Sequence, residues 1–202
     1  MRNLAKALST VFHPMLIPTL GLFLIFNLGG HFAYIPINLK RAVYLIVFLS
    51  TCVLPLSLIP LYILLGVVKN ALMEDRKDRI IPTMLTIVFY LLGYYFLSRI
   101  QIVPSFIQGF MLATIVVLTI ALAITFFWKI SMHMIGIGGL TGAILALAIR
   151  FGLDIWLVFS CILLVAGLLG SSRLVLNAHT PLQVHAGFLL GACAVFSGVL
   201  LF

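Results

Sequence analysis

The chain has 202 residues, of which 64% are hydrophobic and 8% charged, with a formal net charge of +8 and a mean hydropathy of +1.31. That composition excludes a soluble domain of this size, and apolar runs of about 20 residues, each long enough to cross a bilayer, recur along the whole length. In lipid a backbone must satisfy itself within a helix or a closed barrel, and the runs are continuously apolar rather than alternating, so the predicted fold is all-α: one polytopic transmembrane helical bundle of about six to seven spans over residues 1–202.

Residues 1–13 form a polar-to-amphipathic lead containing Arg2 and Lys6. Span one covers about 14–29; with no small-residue cleavage site in view it reads as a retained span, not a signal peptide. His31–Arg41 is a short loop. Span two, about 42–67, contains Pro55 and Pro60 and is expected to kink. The first long polar stretch is Val68–Arg79, VKNALMEDRKDR. Spans three (about 80–97) and four (about 105–127) flank a tight turn at Arg99–Pro104. Trp128–His133, WKISMH, is the second polar interruption. Span five, about 134–150, opens on GIGGLTG, small residues that let helices pack closely. Arg150 and Asp154 have the spacing of an ion pair. Span six, about 155–170, leads to the third polar stretch, 171–181, and span seven covers about 182–202. Residues 1–67 thus hold the N-terminal spans, and 68–202 the three polar stretches. Cys52, Cys161 and Cys193 fall inside apolar segments and read as small core residues, not as a disulfide or metal set.

Two spans separate each polar stretch from the next, so all three emerge on one membrane face. That face collects Lys69, Arg76, Lys77, Arg79, Lys129, His133, Arg173 and His179. The basic residues lie in short loops, which points to lipid headgroups, topology or a site and not to nucleic acid. Acids are scarce: Glu74, Asp75, Asp78 and Asp154, three of them in one loop. Paired-carboxylate chemistry needs acids from separate elements, and a hard-cation site would have to come from that single loop. Clustered cations with two histidines suit phosphoryl chemistry without metal: cations neutralise the phosphate, one imidazole attacks, the other protonates the leaving group.

The three stretches resemble the signature of the type 2 phosphatidic acid phosphatase (PAP2) superfamily, membrane lipid-phosphate phosphatases with the pattern K-x6-R-P, P-S-G-H and S-R-x5-H-x3-D. Ser172-Arg173, five residues and His179 match the third part, followed by Pro181, Ala186-Gly187 and a further span. Ser131 and His133 match the second part, with Ile130 and Met132 at the Pro and Gly positions. Lys69 and Arg76 have the K-x6-R spacing; Lys77 follows in place of Pro, and Arg79 with Pro82 is a shifted alternative.

The resemblance implies a six-helix core, here preceded by an additional span, in the inner membrane of a bacterium. It implies His179 as nucleophile forming a phosphohistidine and His133 as general acid. Lys69, Arg76 and Arg173 would hold the phosphate, and Ser131 would donate a hydrogen bond. Arg79 and Lys129 are alternative phosphate ligands. The implied partners are membrane lipids, the substrate being a lipid phosphate or polyprenyl diphosphate, with no metal and no cofactor. Gln183 stands where the family has Asp; four residues on from His179 it is expected to orient the imidazole through its amide oxygen without supplying charge. Gln183 and Met132 motivate a second reading, a weak or inactive PAP2-like protein that binds anionic lipid phosphates. A prenyltransferase-like enzyme would want two separate aspartate-rich stretches, and one acidic cluster is present. Lys and Arg number eight on the polar-stretch face, with Arg2 and Lys6 included, against four opposite. Setting aside Lys69, Arg76, Arg79, Lys129 and Arg173 as site candidates leaves three against four, which leaves the side unassigned.

Overall fold

Backbone hydrogen bonding in lipid leaves this sequence helices, and helices are what form. The structure, a computed structural model, describes residues 1–70, 73 and 75–202, and among these no strand occurs. Six segments are long and apolar enough to cross a membrane, and the chain is an integral membrane protein. They are α3 (Ile37–Leu64), α4 (Ile80–Ser98, entered by a 3₁₀ turn at Lys77–Arg79), α5 (Ser105–Thr125), α6 (Met132–Phe151), α7 (Trp156–Val175) and α8 (Pro181–Leu201). Two shorter helices precede them, α1 (Arg2–Val11) and α2 (Ile17–Phe26).

The first predicted span is helical for only ten residues, about 15 Å, too short to cross alone. It nevertheless traverses the bundle. His13 lies against His133 at the start of α6, and His31 stacks on Phe151 at the far end of α6, with ring centroids 5.6 Å apart. Pro14 and Pro18 delay the helix, since neither can donate a backbone N–H. Irregular backbone at membrane depth survives where protein covers it. Here the Thr51 hydroxyl donates to the Met15 carbonyl at 3.2 Å. The expected interruptions of α3 are also present. A π turn at Leu49–Val53 precedes Pro55, and the helix breaks again at Leu58 before Pro60.

Glycines set the main helix seam. A Cβ on Gly138 or Gly142 of α6 would stand 2.2 Å from the carbonyl oxygen of Phe188 or Ala192 on α8. Reciprocally, Gly187 and Gly191 of α8 face the carbonyls of Ser131 and Ile135 at 2.8 and 2.1 Å by the same measure. Only glycine allows backbones this close, and the seam holds the first turns of α6 and α8 side by side. At the opposite end Arg150 does not pair with Asp154. It donates to the carbonyls of Val199 (3.3 Å) and Phe202 (3.1 Å), the unsatisfied acceptors at the end of α8. Asp154 instead accepts the N–H of Trp156 at 3.4 Å.

Candidate functional site

The stretch from Arg173 to Gln183 folds as two helix ends joined by a short turn. Asn177, at φ 53°, ends α7 in the left-handed conformation that asparagine tolerates. The N–H of Ala178 bonds the Arg173 carbonyl at 3.1 Å and that of Asn177 the Leu174 carbonyl at 2.9 Å, a Schellman closure. Thr180 then caps α8, with Pro181 opening the helix. Its hydroxyl accepts the Gln183 N–H at 3.5 Å, and the Gln183 amide oxygen accepts the Thr180 N–H at 3.2 Å, a capping box.

That box decides the chemistry of His179. A backbone N–H can only donate, so the Gln183 atom facing it is the oxygen. The same oxygen lies 3.0 Å from His179 Nδ1, which must therefore carry the proton. The Nε2 lone pair is left free. His179 precedes the helix, so the contact does not come from two residues sharing a helical face; it comes from the Gln183 side chain folding back over the helix start. His179 is buried, at 8% exposure. Burial, first, and then Arg79, Arg173 and Lys129 hold its pKa down to about 4, against the raising effect of the Gln183 hydrogen bond. The ring is neutral at pH 7.

Residues from all three polar stretches thus act on one imidazole. Arg79, not Arg76, turns into this cluster; its Nε donates to the Met73 carbonyl at 2.8 Å. Arg76 is directed to the Phe126 carbonyl. Lys69 is exposed and paired at 2.5 Å with Asp75, which raises the lysine's pKa and lowers the aspartate's. Asp78 faces the Lys69 N–H at 3.5 Å. Glu74 lies outside the described residues. Ser131 is fully buried at the N-cap of α6, and among the described residues its hydroxyl has no partner. The Arg173 Nε is likewise buried and unpartnered. Unsatisfied buried donors of this kind mark a place for an acceptor. Ser172, by contrast, spends its hydroxyl on the Leu168 carbonyl of its own helix at 2.8 Å.

Two further residues come from α1 and the turn after it, and the motif spacing gave no sign of them. The Arg173 Nη1 donates to the Ser9 hydroxyl at 3.2 Å, and His133 Nε2 donates to the Ser9 carbonyl at 3.0 Å. His13 meets His133 edge to face, with centroids 5.7 Å apart, and its Nδ1 accepts the Met15 N–H at 3.4 Å. Burial and Arg173 lower the His13 pKa. The one signal available was parity, which sets residues 1–13 on the polar-stretch face. The cluster therefore holds three imidazoles and at least three cations. Among the described residues no group of three or more His, Cys, Asp or Glu side chains is arranged to hold a metal ion. The chemistry of the set suits an oxyanion, since Arg79, Arg173 and Lys129 all act on His179 and the Ser131 hydroxyl and Arg173 Nε are buried donors. No protein-family model, curated protein or solved structure matches the chain.

Proposed function

We propose that this protein is a metal-independent phosphatase of lipid phosphates or diphosphates, PAP2-like, working through a phosphohistidine in a bacterial inner membrane. The observation that carries this reading is the free Nε2 of His179, its proton fixed on Nδ1 by an oxygen that cannot be a nitrogen. In the first step Nε2 attacks phosphorus, and the bond to the lipid oxygen breaks. His133, released from the Ser9 carbonyl, gives the leaving alcohol its proton. Water then attacks the phosphohistidine, His133 takes the water's proton, the P–N bond breaks, and inorganic phosphate leaves. Arg173, Arg79 and Lys129 balance the charge on the phosphoryl oxygens, and the Ser131 hydroxyl offers the hydrogen bond it lacks at rest. The first step uses His133 as the imidazolium and leaves it neutral, the form that takes the water's proton in the second.

The test is phosphate release from a panel of lipid phosphates and diphosphates, with and without EDTA, by the wild type and by His179→Ala and His133→Ala. Release that survives EDTA and is lost in His179→Ala is expected; full activity in both variants refutes the mechanism. One observation favours a second reading, a non-catalytic binder of anionic lipid phosphates: Ser9 occupies both Arg173 and His133. That reading predicts lipid binding without turnover and no gain on Gln183→Asp. The enzyme reading predicts faster turnover in Gln183→Asp, because a carboxylate keeps the tautomer and stabilises the charge on the attacking ring.

A further inference from the structure

A cavity of about 100 Å³ lies within the bundle beneath the His13–His133 pair. Its lining begins at Pro14 and Met132, the chain neighbours of those two histidines, and at Thr83, four residues after Arg79. It extends along α6 to Leu140, eight residues or about 12 Å into the membrane, and along α4 to Tyr90. The lining is overwhelmingly apolar. Two of its hydroxyls are already engaged: Thr86 donates to the Pro82 carbonyl and Thr114 to the Phe110 carbonyl, each at 2.8 Å. Such a space gives water few partners and accepts apolar guests. The end lined by Pro14 and Met132 adjoins the His13–His133 pair, and through it Arg173.

We propose that this cavity seats the hydrocarbon chain of the phosphorylated lipid. The phosphate rests among Arg173, Arg79 and the imidazoles while the chain descends between α2, α4, α5 and α6. The proposal rests on the phosphate reading of the polar cluster. It makes the substrate a long-chain phosphate drawn from the bilayer and disfavours water-soluble phosphates.

The experiment uses the full chain in nanodiscs of zwitterionic lipid with two photoreactive probes: hexadecyl phosphate bearing a mid-chain diazirine, and the matching hexadecanol. The phosphate probe is expected to label the cavity walls on α4 and α5, and unlabelled hexadecyl phosphate to compete. Leu118→Trp and Thr114→Phe, two independent fillings of the cavity, are each expected to cut labelling about tenfold. The same variants should lower kcat/KM for hexadecyl phosphate about tenfold, a tenfold effect being about 1.4 kcal/mol, and the wild type should hydrolyse hexadecyl phosphate in preference to butyl phosphate. Equal labelling by the two probes makes the cavity a crevice for bulk lipid and overturns the proposal. Wild-type labelling in both monodisperse variants, or labelling confined to the bilayer-facing surface, overturns it too. If labelling follows the expected pattern but neither ester is hydrolysed, the chain site stands and the phosphatase reading falls. Hydrolysis with labelling elsewhere has the opposite meaning.

Discussion

Lowering the pH should destabilise this protein through His179. In the folded chain the imidazole is held neutral, with a pKa near 4 against 6.5 when unfolded. Between those values the unfolded state takes up a proton that the folded state refuses, so stability rises with pH across the window. The contribution is absent above pH 6.5 and grows as pH falls toward 4. At 1.36 kcal/mol per pKa unit, the 2.5-unit interval amounts to about 3 kcal/mol of lost stability. Reversible unfolding in mixed micelles at several pH values, for wild type and His179→Gln, isolates this part from those of His13 and His133. The wild type should lose about 3 kcal/mol more than the variant between pH 6.5 and 4. Parallel pH profiles would refute the buried, cation-flanked imidazole, and with it the account of why the proposed nucleophile is unprotonated at neutral pH. A bound phosphate should shrink the difference by offsetting Arg79, Arg173 and Lys129.

Ser131→Ala should leave folding stability unchanged or slightly raised, since it deletes a buried hydroxyl without a partner, yet weaken phosphate binding about tenfold; thermal unfolding and competition by inorganic phosphate read the two effects separately. Arg79→Ala should cut turnover far more than Arg76→Ala, because only Arg79 reaches the field at His179; similar losses would contradict that placement. Gly142→Ala should cost about 1–3 kcal/mol, as its Cβ cannot approach the Ala192 carbonyl without parting α6 from α8. If the seam positions the site, kcat should fall with it, which a parallel assay of unfolding and phosphate release would check.

The spans were legible because hydropathy alone is a sufficient signal when the backbone has no other way to exist in lipid. The interruptions at Pro55 and Pro60 were legible for a local reason, a missing N–H. The close seam of α6 and α8 showed in the glycine run. The contact of His179 with Gln183 was foreseen from spacing, but its cause was not, since a capping box and not a helical face creates it. Arg76 and Arg79 could not be separated by sequence because the 3₁₀ turn at Lys77–Arg79 decides which guanidinium turns inward. Ser9 and His13 were out of reach of motif reasoning. Ser9 carries no charge, and its link to Arg173 is a tertiary contact that no local pattern encodes. The length of α2 is not legible in hydropathy because apolar composition reports burial in lipid or protein alike, whereas proline positions decide how much of the segment is helix.

The hydrogen bond between Ser9 and Arg173 joins residues 164 apart in the chain. During synthesis 164 residues of chain thus separate the two halves of the pocket, and His179 and Gln183 follow Arg173. The early helices must wait in the bilayer with their polar groups facing the surface until α7 and α8 insert and the glycine seam closes. The pocket needs α7, so it is completed only after the spans before it are made. On the proposed phosphate reading, binding of a phosphate probe therefore reports whether α7 and α8 have inserted and docked, a readout of pocket assembly independent of helix content.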